Sequence, residues 1–208
     1  MIYYDIHTHR QPACLDGMAI VTADICRQAL DPSVRYAVAI HPWEADPGAL
    51  PLLHEMARRP NVAAIGETGL DKRKGPPLTV QEELFHAHIQ LAEVLDKPLI
   101  IHCVGAWHTL LRIFKTSVCH VPRIIHGFRG NGILAGQLLD AGFYLSFGRH
   151  FRPEAVSGAW AAHKLFAETD EDDIGIREIY AALAASLSVA QEDLSQQIAV
   201  NFKAIKII

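Results

Sequence analysis

Tyr4-Asp5-Ile6-His7-Thr8-His9 stands near the start of the 208-residue sequence, and its reading governs the rest. Apolar and polar residues alternate here as they do on a strand, where positions two apart point to one side. Asp5, His7 and His9 are therefore expected on one face, and two neighbouring imidazoles make a clamp for a divalent ion. Alone, His-x-His is better explained by a polar strand end. Its counterparts downstream decide the matter. Glu67 follows Val62-Ala63-Ala64-Ile65-Gly66, His102 follows Leu99-Ile100-Ile101, and His126 follows Ile124-Ile125. Glu168 and Asp170 come after Leu165-Phe166-Ala167. A scatter of surface histidines would not track the ends of apolar runs. In a parallel barrel such ends open onto one face, where active sites of that fold are built.

Working outward, eight short apolar runs read as buried strands: 2–6, 18–22, 36–40, 62–66, 98–101, 122–125, 143–146 and 164–167. Amphipathic stretches lie between them. The clearest is Val80–Leu95, where Leu84, Phe85, His88, Leu91, Ala92 and Leu95 form a stripe of helical period. Thr79 with Glu82 offers a capping box for it, and Ser188 with Gln191 offers another near the end of the chain. Further helices are expected over 48–59, 107–116, 132–141, 174–187 and 190–207. The alternation predicts an α/β fold, a (β/α)8 TIM barrel formed as a single domain over residues 1–208. The link over residues 10–17 is too short for a crossover helix, so the barrel is expected to be trimmed there. A parallel sheet that does not close is the competing architecture.

Composition narrows the function classes. With 50% hydrophobic and 20% charged residues the chain reads as an ordinary globule. No apolar run reaches membrane-span length and no export signal is evident, so a cytoplasmic protein is expected, with no membrane partner. Cys14, Cys26, Cys103 and Cys119 show no metal-binding spacing and are expected as free thiols. A net charge of −4 argues against a passive nucleic-acid binder, though not against an enzyme whose metal ions supply local positive charge. Twelve histidines are about three times ordinary usage. Imidazoles mixed with carboxylates, without thiolates, suit Zn²⁺, Mn²⁺ or related ions at a catalytic site.

Taken together, the motifs resemble the TatD family of metal-dependent deoxyribonucleases and related hydrolases, from one end of the sequence to the other. The matching stretches are Asp5-Ile-His-Thr-His9, Ile40-His-Pro42, Gly66-Glu-Thr-Gly-Leu-Asp71 and Gln81 through Phe85. After them come Pro98-Leu-Ile-Ile-His102, His126-Gly-Phe-Arg-Gly130, Leu145-Ser-Phe-Gly148, Glu168-Thr-Asp170 and Asn201-Phe202. The resemblance implies two divalent ions per chain: zinc, manganese or magnesium. His7, His9 and Asp170 would hold one, His102 and His126 the other, with Glu67 bridging. Two ions ~3.5–4 Å apart can clamp the attacking and leaving oxygens of a phosphodiester. Asp170 would also accept the proton of the attacking water, which makes Asp170 and Glu67 the expected catalytic pair. The implied substrate is DNA or a small phosphoester, met by a monomer without a stable nucleic-acid complex.

His41 and Arg129 are expected to contact substrate, Glu168 to orient a ligand, and Asp71 to serve structure more than chemistry. The sequence also departs from the family's pattern. Val104 occupies the position where relatives carry an arginine two residues after the histidine equivalent to His102. Glu171-Asp172-Asp173 replaces a small residue and proline after Asp170. These changes spare the presumed ligands and weaken the grip on a polyanion. Two further readings therefore stand beside phosphoester hydrolysis. One keeps the ions and cleaves a small amide, lactone or phosphate ester; the other is a metal-binding relative with impaired catalysis. The polymerase-and-histidinol-phosphatase family shares the Asp-x-His-x-His start but accounts less well for residues 66–71.

Overall fold

The computed structural model describes residues 1–10, 17–25 and 29–208. Eight parallel strands are hydrogen-bonded in chain order. They are β1 (Tyr3–Thr8), β2 (Gly17–Asp24), β3 (Arg35–Ala39), β4 (Val62–Asp71), β5 (Leu99–Val104), β6 (Arg123–Ile125), β7 (Tyr144–Phe147) and β8 (Leu165–Ala167). Between β3 and β8 each connection carries a helix: α1 (Leu50–Met56), α2 (Leu78–Leu95), α3 (Trp107–Thr116), α4 (Gly132–Asp140) and α5 (Pro153–Ala161). Two more follow β8, α6 (Ile176–Leu187) and α7 (Gln191–Ala204). A parallel bridge between Thr8 and Asp170 joins the end of β8 back to β1. The order is that of the expected (β/α)8 barrel. The link from β1 to β2 runs through 11–16, so the trimmed crossover and Cys14 lie outside the described residues, as does Cys26. No helix among the described residues is long and apolar enough to cross a membrane.

Contacts divide the chain into two compact units, Met1–Val21 with Ile124–Ile208, and Thr22–Arg123. In the first unit, α6 and α7 fasten β1 and β8. The α6 stripe Ile179, Tyr180, Leu183 and Ala184 is buried, as a helix packed by one face requires. The Tyr180 hydroxyl accepts from the Tyr4 amide at 3.0 Å and donates to the Tyr4 carbonyl at 3.1 Å. From α7, Ser195 Oγ donates to the Ile2 carbonyl at 2.6 Å and Asn201 Nδ2 to the Leu165 carbonyl at 2.9 Å. Phe202 packs its ring 5.0 Å from Tyr4 and 5.2 Å from Phe166.

The second unit is organised by α2, whose buried residues include Leu84, Phe85, His88, Leu91 and Ala92 of the expected stripe. The expected capping box at Thr79 and Glu82 does not form. The helix starts earlier, at Leu78, with Pro77 as its cap residue and no side-chain cap. Gln81 instead turns back to donate to the carbonyls of Asp71, Lys74 and Pro76. The second expected box also fails, because Ser188 closes α6 in the left-handed conformation and cannot adopt the extended geometry of an N-cap. Helix α5 escapes the sequence reading: Pro153 suits its first turn, but Gly158 and a run of small residues blur the period.

His88 is wholly buried in this unit. Its Nδ1 donates to the Leu84 carbonyl at 2.8 Å and its Nε2 accepts from the Ile40 amide at 3.0 Å, which fixes the neutral tautomer. Burial pulls its pKa down to about 4. The unfolded chain takes up this proton near pH 6.5, whereas the folded chain resists until about pH 4, so stability is lost as pH falls through that window. The His88→Gln variant should lack this contribution. Urea unfolding at pH 7.5 and 4.5 should show the wild type losing about 2–3 kcal/mol more than the variant.

Candidate metal centre

In the first unit the site begins with an irregularity in β1. Asp5 pairs with Ala19 and Thr8 with Val21, so three steps on β1 match two on β2. This bulge re-aims the strand and breaks the alternation that would have placed Asp5 beside His7 and His9. Asp5 serves instead as a buried tie. It accepts from the His7 amide (3.3 Å), the Thr169 amide (3.2 Å) and the Thr169 hydroxyl (2.6 Å). Burial pushes its carboxyl up to about 7 against the pull of these donors.

His7 and His9 both turn their Nε2 toward Asp170 Oδ1, each at 3.6 Å. Asp170 has φ +53°, a left-handed conformation that aspartate tolerates better than most residues. Its main chain is pinned by the bridge to β1, with its amide donating to the His7 carbonyl (3.0 Å) and its carbonyl accepting from the His9 amide (3.1 Å). Backbone pairing thus carries the carboxylate to the two imidazoles. His126 follows β6, with its ring 4.3 Å from that of His7. Its Nδ1 lies 3.5 Å from Oε1 of Glu168, a wholly buried carboxylate that also accepts from the Gly127 amide at 2.6 Å. Two overlapping sets, His7–His9–Asp170 and His126–Glu168–Asp170, each bring their ligand atoms within 4.8 Å of one another.

In the second unit β4 runs on to Asp71, so Glu67 lies within the strand and not beyond its end as the sequence suggested. Ile65 pairs with Leu99 and Thr68 with Ile101, which leaves one extra residue on β4 around Glu67. The glycines of the Gly66–Asp71 motif have a steric cause. A Cβ on Gly66 would meet the Ile100 side chain at 2.6 Å, and one on Gly69, where φ is +144°, would meet the His102 carbonyl at 2.0 Å. Close approach of β5 delivers His102 to Glu67, with Nδ1 2.7 Å from Oε1. The same oxygen lies 3.2 Å from His41 Nε2. His41 Nδ1 accepts from the Trp43 amide at 3.2 Å, so the neutral ring carries its proton on Nε2 and donates it to Glu67. His41, Glu67 and His102 form a third set of donors within 4.8 Å.

Asp71 has a larger role than the sequence suggested. Its Oδ2 accepts from the Trp43 indole at 2.7 Å and lies 3.3 Å from His102 Nε2, while Oδ1 accepts from the Arg73 amide at 2.7 Å. Burial would raise this carboxyl, but the indole, the Arg73 amide and His102 together hold it below the usual range. Trp43 is the residue that sequence reasoning passed over; its only signal is its place directly after His41-Pro42. Lys74 holds its ammonium 3.2 Å above the Trp43 ring. Arg129 is exposed on the loop after His126. Cys103, beside His102, is buried, and burial pushes its thiol up to about 12. Val104 pairs with Asp71 at the end of β5.

Imidazoles and carboxylates gathered along parallel strands in (β/α)8 order define a metal-dependent hydrolase. The family model described as TatD related DNase matches residues 19–205, and the chain belongs to the TatD family. It is 31% identical over 192 residues to the uncharacterized metal-dependent hydrolase YcfH of Escherichia coli K12, covering 82% of this chain and 72% of that one. To the 3'-5' ssDNA/RNA exonuclease TatD of Klebsiella pneumoniae it is 29% identical over 143 residues, 63% of this chain and 54% of that one. Among solved structures, the Escherichia coli TatD homolog YJJV superposes with a TM-score of 0.82 at 18% identity, covering 98% of this chain and 97% of that one. That last likeness shows the fold.

The contact between Gly69 and His102 gives a direct test of the local geometry. Gly69→Ala must displace β5 or strain β4, and is expected to cost roughly 3 kcal/mol or more in urea unfolding. A fully stable variant would show that β5 has room to retreat.

Proposed function

We propose that this chain hydrolyses phosphodiester bonds with divalent metal ions, acting on DNA ends or small phosphoesters. The observation that carries the reading is the donor chemistry. Within the two units, three sets of imidazole and carboxylate groups among the described residues each bring their ligand atoms within 4.8 Å and contain no thiolate. Such donors fit Zn²⁺ or Mn²⁺ and suit Mg²⁺, which favours oxygen, less well. From the family resemblance we take two ions per chain, His7, His9 and Asp170 on one, His102 and His126 on the other, and Glu67 shared. Bound there, the ions would supply charge against the phosphate and lower the pKa of water.

The chain's own residues do the rest. Asp170 accepts the proton of the attacking water, its carboxylate held in place by the main-chain bridge to His7 and His9. His41 orients Glu67 by donating from Nε2, and its remaining exposed edge meets the substrate. Arg129 offers a guanidinium to a phosphate. We further propose that residues 1–208 act as one cytoplasmic, monomeric domain without a stable nucleic-acid complex.

Two features support a second reading. Glu171 and Asp173 are exposed immediately after Asp170, and Val104 removes a bidentate phosphate grip. Both features favour a small amide, lactone or phosphate ester over a polyanion, or an impaired relative that only binds metal.

Metal content and hydrolysis of bis(p-nitrophenyl) phosphate, measured on wild type, Glu67→Ala and His126→Ala, test the proposal. About two ions per wild-type chain, reduced in both variants with a hundredfold or greater fall in hydrolysis (a rough figure for losing a ligand), is the expected result. Metal without phosphodiester hydrolysis would move the substrate to the second reading. No metal after supply of Zn²⁺ or Mn²⁺ would overturn the proposal.

A further inference from the structure

We infer that Asp71, clamped by the indole of Trp43, is a positioning residue that holds the Nε2 proton of His102 and so turns Nδ1 to Glu67 as the nitrogen offered to a divalent ion. The inference rests on the reading above, in which His102 is a ligand.

An imidazole gives a lone pair from one nitrogen while the other keeps its proton, and the partner of that proton sets the ring's orientation. His102 has carboxylate oxygens on both sides, Glu67 Oε1 at 2.7 Å from Nδ1 and Asp71 Oδ2 at 3.3 Å from Nε2. The two carboxylates differ in how they are held. Asp71 is immobilised through every polar group it has. Oδ1 takes the Arg73 amide at 2.7 Å, and Oδ2 takes the Trp43 indole at 2.7 Å. Its own amide donates to Gln81 Oε1 at 2.7 Å, and its carbonyl accepts from Gln81 Nε2 at 3.0 Å. A carboxylate anchored this way is suited to fix a neighbouring ring. Glu67 faces both His41 and His102 with a single oxygen, the arrangement of a group that gathers ligands.

Trp43 completes the device. Its side chain is 40% exposed, an unfavourable place for a large apolar ring unless its polar edge is used. That edge donates to Asp71, and the ring meets His41 and His102 edge-on at centroid distances of 4.6 and 5.7 Å. Lys74 lies across the ring at 3.2 Å, so the indole is held against rotation. Phenylalanine would keep the packing and lose the hydrogen bond. The chain of contacts runs Lys74, Trp43, Asp71, His102, Glu67.

The experiment measures Zn²⁺ affinity by chelator competition, with ring-nitrogen NMR of the zinc-loaded protein, for wild type, Asp71→Asn and Trp43→Phe. Expected is a wild-type His102 bound through Nδ1 with a protonated Nε2. Asp71→Asn should weaken one zinc by about 10–100-fold, and the other zinc should stay. Trp43→Phe leaves the Arg73 and Gln81 anchors of Asp71 in place and should weaken the same zinc by about tenfold; it carries the test if Asp71→Asn does not fold. Metal bound through Nε2, or a Trp43→Phe affinity within twofold of wild type, overturns the inference. Two tightly bound zinc ions with no bis(p-nitrophenyl) phosphate hydrolysis would defeat the proposed function alone, since the affinities would still report on Asp71. A wild type that binds no zinc through His102 overturns both.

Discussion

The backbone of β5 comes so close to β4 that neither position 66 nor position 69 has room for a Cβ, and the chemistry of the second unit depends on that approach. It sets His102 against Glu67 and, through the bulge around Glu67, decides which way that carboxylate points. The strand then continues to Asp71, which reaches the other nitrogen of the same imidazole. A six-residue motif thus does three jobs. Its glycines admit the neighbouring strand, its glutamate meets two histidines and its aspartate restrains one of them.

The first unit reaches a comparable result by other means. Here a main-chain bridge, and no steric vacancy, draws the groups together. Asp170 exchanges hydrogen bonds with the backbone of His7 and His9 and is left with its carboxylate between their rings. Asp5 and Thr169 reinforce the junction from within the core. Glu168 stands 3.5 Å from His126 Nδ1, with the Gly127 amide as its anchor. In both units a buried carboxylate stands behind an imidazole, which is how proteins commonly orient metal-binding histidines.

Much of this was legible in the residues. Short runs of Ile, Val and Ala ending in His, Glu or Asp announced buried strands with functional tips, and the α2 stripe announced its helix. What stayed hidden has physical reasons. A bulge adds one residue without any compositional mark, so the departure of Asp5 from the histidine face and the inclusion of Glu67 within β4 could not be seen. Trp43 and Asp71 are 28 positions apart and His102 lies another 31 along, so their hydrogen bonds exist only in the fold. The Thr79 and Ser188 caps failed because local patterns compete with neighbours, a proline pair in one case and the end of the preceding helix in the other. Glycine and proline, useful as punctuation elsewhere, concealed α5.

The ties between β1 and the last third of the chain have a consequence for how the protein is made. Tyr180, Ser195 and Asp170 satisfy backbone groups of residues 2–9, across 161 to 193 positions of sequence. During synthesis the first strand must wait, with part of its hydrogen bonding supplied by water, until α6 and α7 have left the ribosome. At ~5–20 residues per second that interval is on the order of ten to forty seconds. The histidine pair on β1 emerges well before Asp170, the carboxylate that it meets in the fold. A nascent chain in this state offers loose imidazoles before it offers an organised site, so metal capture that is selective has to follow closure of the fold and cannot guide its beginning.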